Sequence, residues 1–197
     1  MKQPNEQWMA DIADHIVHRK LREVVLPGTH DSGTYSISSA SPLSPDEDLP
    51  EWVKFIRGIP VLNKWVDDII ANWARAQGKN ITEQLEAGIR YLDLRVCGRD
   101  GDDYIVHSMY GDNIFTVTDA VRAFAETHDK EIIILYFNYF YQMTDELHNK
   151  LLTDPQSGLI ATFGYLLAPC SKGVDVRVND LWQSGQRVIV LYDTAFS

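Results

Sequence analysis

The sequence predicts an α/β fold with a parallel sheet, of the TIM-type β/α-barrel kind, and three observations carry that prediction. Apolar, strand-like runs alternate with amphipathic helical stretches from one end of the chain to the other. Polar residues able to do chemistry recur just after successive runs: His30-Asp31, Asp93 with Arg95, His107, Asn138, and Tyr192-Asp193. A site gathered from many strand ends suits a barrel rim, and the Gly-rich phosphate loop that would favour a doubly wound sheet does not occur.

Composition sets the bounds. A chain of 197 residues with 45% hydrophobic content has enough apolar side chains for one core, so a single domain over residues 1–197 is expected. The formal net charge of -10 argues against nucleic acid as a partner and against purely electrostatic docking on anionic lipid. An anionic substrate must then be held by a few local cations. Cys97 and Cys170 read as two unpaired thiols, compatible with a reducing compartment. The polar start from Met1 to Gln7 lacks a signal pattern, and no apolar run reaches membrane-spanning length, so a cytoplasmic location is expected.

Taken in order, Trp8 to Lys20 has helical apolar spacing, with His15 and His18 on the surface. Val24-Val25-Leu26 reads as a buried strand stopped by Pro27-Gly28, and Thr29 to Thr34 is a polar turn carrying His30 and Asp31. Ser36 to Pro50 is an irregular excursion that flanks a site entrance. Trp52 to Ala76 holds one or two amphipathic helices broken near Gly58-Ile59-Pro60. Its Trp52, Phe55, Trp65 and Trp73 read first as core, with an apolar lip touching lipid as the alternative.

Ile81 to Gly88 is a short helix with Thr82 as cap candidate and a terminating glycine. Ile89 to Val96 alternates as a strand, placing Tyr91, Asp93 and Arg95 on one face and Arg90, Leu92, Leu94 and Val96 on the other. A turn over Arg99 to Asp103 leads to a strand ending at His107. Val117 to His128 is a helix capped by Thr116 or Thr118, Glu131 to Phe137 a strand buried on both faces, and Thr144 the cap of another helix. A helical segment from Leu159 to Leu167 and a strand over Arg187 to Tyr192 complete five strands in all.

Two histidines on one rim suit a reaction needing a base and an acid in succession, because imidazole titrates near neutrality. Arg95 beside them points to phosphate, which a guanidinium grips through two oxygens, and Asp93 is placed to hold it.

These residues resemble the X-region phosphatidylinositol-specific phospholipases C, in particular their small X-domain-only and bacterial members. The resemblance runs through Trp8-Met9, Leu26-Pro27-Gly28-Thr29-His30-Asp31-Ser32, Gln84 to Arg95, Val106-His107 and the strand from Ile132 to Asn138. It implies that His30 takes the proton from the inositol 2-hydroxyl, that His107 protonates the departing diacylglycerol oxygen, and that a cyclic inositol phosphate forms first. By the same resemblance Asp31 works with the acid histidine, Arg95 stabilises phosphoryl charge and Asp93 positions Arg95. Asn138 and Tyr192 are the candidate substrate-binding residues.

The calcium-dependent branch of that family has His-Asn where this chain has His30-Asp31, and acids where it has Arg95 and Asn138, so metal-independent chemistry without a cofactor is implied. The family's barrel has eight strands and this chain supplies five, so the sequence reads as a C-terminally truncated barrel. The carboxylate that partners the base histidine in bacterial relatives is then unassigned, and the open edge invites self-association. The implied partner is phospholipid, met peripherally at a membrane surface. Two other readings stand beside this one: a metal-dependent glycerophosphodiesterase-like enzyme, and a non-catalytic phosphoinositide-binding or regulatory fragment.

Overall fold

Strand-forming alternation and helix caps give the chain a mixed sheet with helices packed on it. The structure is a computed structural model that describes residues 5–46 and 49–193. In chain order the elements are α1 (Trp8–Asp11), α2 (Ala13–Ile16), β1 (Gly28–Thr29), α3 (Glu51–Arg57), α4 (Asn63–Ala74), α5 (Ile81–Glu86), β2 (Tyr91–Arg99), β3 (Asp102–His107), β4 (Met109–Asn113), α6 (Ile114–Thr127), β5 (Ile133–Tyr141), α7 (Asp145–Thr153), α8 (Leu159–Phe163), α9 (Val178–Ser184) and β6 (Val188–Tyr192).

The strands run in the order β4-β3-β2-β5-β6, and β1 adds to β2 beside β3. Strands β1, β2, β5 and β6 are parallel, whereas β2-β3 and β3-β4 are antiparallel. The sheet is therefore mixed, not parallel, and the described residues form six strands where five were expected. The antiparallel part arises because Asp100 (φ 53°) and Gly101 (φ 86°) make a tight left-handed turn that folds β3 straight back on β2. β4 follows through Ser108 (φ 57°), a positive-φ position without a Gly-rich signature.

Local expectations fail at several boundaries for identifiable reasons. The expected strand over Val24 to Leu26 is absent; Val25 is 91% exposed, and pairing starts only at Gly28, after Pro27. There the Pro27 carbonyl accepts from the Arg90 and Tyr91 backbone N–H groups, so proline opens the pairing instead of ending it. The single helix over Trp8 to Lys20 breaks at Ile12 into α1 and α2. Asn80 and Asn113, not the expected threonines, cap α5 and α6 by accepting from Glu83 and Phe115 N–H groups. Thr144 does cap α7.

One face of the sheet buries Leu92, Leu94, Val96, Leu135, Phe137 and Val188 under α5, α6 and α8. A second cluster of Met9, Ile16, Leu21, Ile132 and Leu181 closes the end where β5 begins. A third seats α4 on Met109 and Ile37. Here the expectation for the aromatic stretch inverts. Val66, Ile70 and Ala74 make the contact, while Trp52, Phe55, Trp65 and Trp73 stay 60–81% exposed.

Both carboxylate oxygens of Asp103 on β3 are buried without a hydrogen-bond partner, and burial pushes its carboxyl up to about 6 despite nearby Lys150. A carboxyl with a raised folded-state pKa stabilises the fold at low pH and loses that contribution as pH rises through about 6. Asp103→Asn is therefore expected to raise Tm at pH 8 by about 2–6 °C and to lose that gain toward pH 4, in thermal melts across that range.

Candidate active site

The loop after β1 and the C-terminal half of β2 bring the chemistry together. Ser32 fastens the two segments: its N–H donates to the Asp93 carbonyl at 2.8 Å, and its Oγ accepts from the Asp93 N–H at 3.0 Å. Gln84 of α5 donates to the Ser32 carbonyl at 2.9 Å and accepts from Thr29 Oγ1 at 2.7 Å. Glycine is required at position 33, where a Cβ would lie 2.7 Å from Ile105 side-chain carbons. This anchoring holds Asp31 in the left-handed region at φ 48°.

His30 has its Nδ1 2.7 Å from Asp93 Oδ2, so the ring donates there when that carboxylate is charged. Its Nε2 then lies 3.0 Å from Asp31 Oδ2 and 3.5 Å from an Arg95 terminal nitrogen. His107, at the end of β3, donates from Nδ1 to the Ala74 carbonyl at 2.7 Å, because a carbonyl can only accept. That bond leaves its Nε2 3.6 Å from the same Asp31 oxygen. The two Nε2 atoms thus flank one buried carboxylate.

Arg95 is held by Asp31, not by Asp93. Its Nε lies 2.8 Å from Asp31 Oδ1, and its guanidinium sits over the Tyr139 ring at 5.1 Å. The expected pairing of Asp93 with Arg95 is corrected by the geometry: Asp93 reaches His30 instead. The 2.8 Å approach lacks hydrogen-bond geometry, and Arg95 Nε and both Asp31 oxygens are buried without a hydrogen-bond partner. Burial pushes the Asp31 carboxyl above its ordinary value, against the lowering pull of Arg95, His107 and His30. Unsatisfied buried polar atoms are costly, and a ligand oxygen arriving beside Arg95 would accept from its Nε, whereas the Asp31 oxygens need a donor such as a ligand hydroxyl or a protonated histidine Nε2.

The two candidate substrate-binding residues separate. Asn138 is the extra residue of a bulge in β5, where Leu94 pairs with Phe137 and Arg95 with Tyr139, and its Oδ1 is buried without a partner. Tyr192 pairs with Phe137 on the opposite face of the sheet, and its hydroxyl bonds His148 Nδ1 at 2.7 Å in the helix-covered core. Sequence position after a strand pointed to Tyr192, but strand parity turns it away from His30. Conversely, the Ala74 carbonyl and Tyr139 were missed: a main-chain acceptor leaves no sequence signal, and the bulge shifts the parity that would have flagged Tyr139.

His30, Asp31 and Asp93 also present ligand atoms within 4.8 Å of one another, close enough to share a metal ion. Arg95 stands against Asp31 in that group, so a cation there would meet a fixed positive charge.

No family model matches the chain. Human PI-PLC X domain-containing protein 2 is 33% identical over 196 residues, spanning 98% of this chain and 61% of that protein. Among solved structures, a variant of phosphatidylinositol-specific phospholipase C from Staphylococcus aureus superposes with a TM-score of 0.63 at 16% identity, over 96% of this chain and 53% of that one. The Listeria monocytogenes enzyme superposes with a TM-score of 0.56 at 20% identity, over 96% of this chain and 57% of that one. The chain thus spans a little over half the length of these proteins.

Proposed function

Since the chain belongs to the PI-PLC X-domain family, we propose that it is a phosphodiesterase that cleaves phosphatidylinositol-type lipids between phosphorus and the glycerol oxygen. The observation that carries this reading is the pair of histidines whose Nε2 atoms lie 3.0 and 3.6 Å from one Asp31 oxygen, with Arg95 on the other.

His30 Nε2 takes the proton of the inositol 2-hydroxyl, whose oxygen then forms a bond to phosphorus. The bond from phosphorus to the glycerol oxygen breaks, and that oxygen takes a proton from His107 Nε2. The first product is a cyclic inositol phosphate. Asp93 fixes the tautomer of His30 and balances the imidazolium as it forms, in the way a carboxylate serves a catalytic histidine. Arg95 offers charge to the phosphoryl oxygens, with Asp31 aiming it. Asn138 is the candidate hydroxyl-binding residue at the same strand end. In this reading the sheet is part of a β/α barrel, and the reaction takes place peripherally at a membrane surface in the cytoplasm. No helix among the described residues is long and apolar enough to cross a membrane.

Arg95 supports metal-free chemistry in this reading. The metal-dependent reading is favoured by one observation, the cluster of His30, Asp31 and Asp93 ligand atoms. Diacylglycerol release from phosphatidylinositol in detergent micelles decides between them. Release is expected to persist in a chelator and to fall about a hundredfold or more in Arg95→Ala. Loss on chelation, restored by a divalent cation, would give the site to a metal. A folded chain that binds inositol phosphate without cleaving it would favour the regulatory fragment.

A further inference from the structure

The acid side of this site opens into a cleft of about 510 Å³ between α3 and α4, of a size common for small-molecule sites. Its walls are carbon: Val53 and Ile56 from α3 face Ile69 and Ile70 from α4, with Trp65 and Trp73 at the rim. Besides the indoles, polar side chains among the described lining residues come from His107 and Ser108. The residue before the end of α4 is Trp73, and the last, Ala74, gives the carbonyl that orients His107. The cleft and the proton donor are thus parts of one construction.

We propose that this cleft receives a hydrocarbon chain of the group that leaves at His107, so that the protein binds the lipid tail as well as the headgroup. The occupant is argued from continuity. The leaving oxygen must lie at His107 Nε2, and the apolar walls begin at the same side chain. A groove lined mainly by carbon binds an acyl chain through water-excluded contact and gives little to a soluble headgroup. The choice of occupant rests on the function proposed above, which puts the leaving oxygen at His107; the apolar lining of the cleft does not.

Exposed Phe55 of α3 and Val61 of the turn between α3 and α4 lie outside the groove lining, which separates a groove that takes one chain from a face that merely touches a bilayer. The experiment uses monomeric lysophosphatidylinositol with brominated acyl chains of about six, eight and ten carbons, below micelle formation, and His30→Ala protein to prevent turnover. Quenching of tryptophan fluorescence reports binding, because Trp65 and Trp73 border the groove. Affinity is expected to rise about tenfold for each two added carbons. Filling the groove with Ile69→Phe, or from the facing wall with Ile56→Phe, is expected to weaken the longest chain at least tenfold, and Phe55→Ser to leave it unchanged.

Affinity independent of chain length would overturn the proposal. So would equal weakening by Phe55→Ser and Ile69→Phe in protein that circular dichroism shows folded. Chain-length-dependent binding by a wild-type protein that cleaves nothing would leave the groove standing and remove the activity.

Discussion

His30→Ala and His107→Ala are each expected to abolish release of diacylglycerol from phosphatidylinositol, and Asp93→Asn to lower kcat by about 10³–10⁴-fold with little change in KM. The first two remove the atoms that take and give the proton. The third is the sharper test, because Asp93 touches His30 Nδ1 at 2.7 Å and not the cleft. An amide in its place presents a hydrogen-bond donor as readily as an acceptor, so the ring can turn its lone pair toward position 93 and leave a protonated Nε2 facing the substrate. Binding then survives while the base is lost, which separates kcat from KM. Asp31→Asn should behave differently: it frees Arg95, whose Nε lies 2.8 Å from Asp31 Oδ1, and so disturbs phosphate binding as well as turnover. Full activity in Asp93→Asn would return His30 to an unassigned partner.

How much of this could be read from the chain alone follows from what each signal measures. Alternation in Ile89 to Val96 identified β2 and put Asp93 and Arg95 on one face, and the structure keeps them there, because parity is a property of the strand itself. The pairing on that face was misread. Two residues spaced i, i+2 look like partners, yet the loop after β1 inserts Asp31 beside Arg95 and turns His30 toward Asp93, and no local pattern encodes that crossing. Strands β2, β5 and β6 were legible as apolar runs of sufficient length. β1 was not, since two residues held by Pro27 and Ser32 have no periodicity to detect.

The aromatic stretch shows the limit of periodicity from the other side. Its helical spacing was legible, and α3 and α4 form on either side of Gly58-Ile59-Pro60. Periodicity says that one face is apolar. It does not say which face meets the protein when both carry large side chains, and here Val66, Ile70 and Ala74 win the core because α4 sits close against Met109, where small and branched residues fit. Trp52, Trp65 and Trp73 are left lining the cleft that His107 also borders.

The largest effect on stability is expected far from the chemistry. Arg90, at the start of β2, is fully buried, with a terminal nitrogen 2.7 Å from Glu131 Oε2 and its Nε donating to the same oxygen at 2.8 Å. Its Nη1 donates to the carbonyls of Leu85 and Ile89, and the Nη2 that approaches Glu131 also donates to the carbonyl of Glu6. Glu131 in turn accepts from the backbone N–H groups of Met9 and Ala10, so the pair ties α1, the end of α5 and the start of β2 to the approach to β5. Burial pushes the Arg90 guanidinium below its ordinary value, and Glu131 is the main force holding it charged. Removing one partner strands the other charge in the core, so Glu131→Ala is expected to cost about 3–5 kcal/mol and lower Tm by about 6–20 °C. Arg90→Met combined with Glu131→Leu should recover much of that loss, since two apolar side chains leave no charge unpaired. Urea midpoints for the single and double variants measure it. A Glu131→Ala protein as stable as the parent would show that the pair orients β2 without stabilising it, and would move the anchoring of Asp93 onto Ser32 and Gln84 alone.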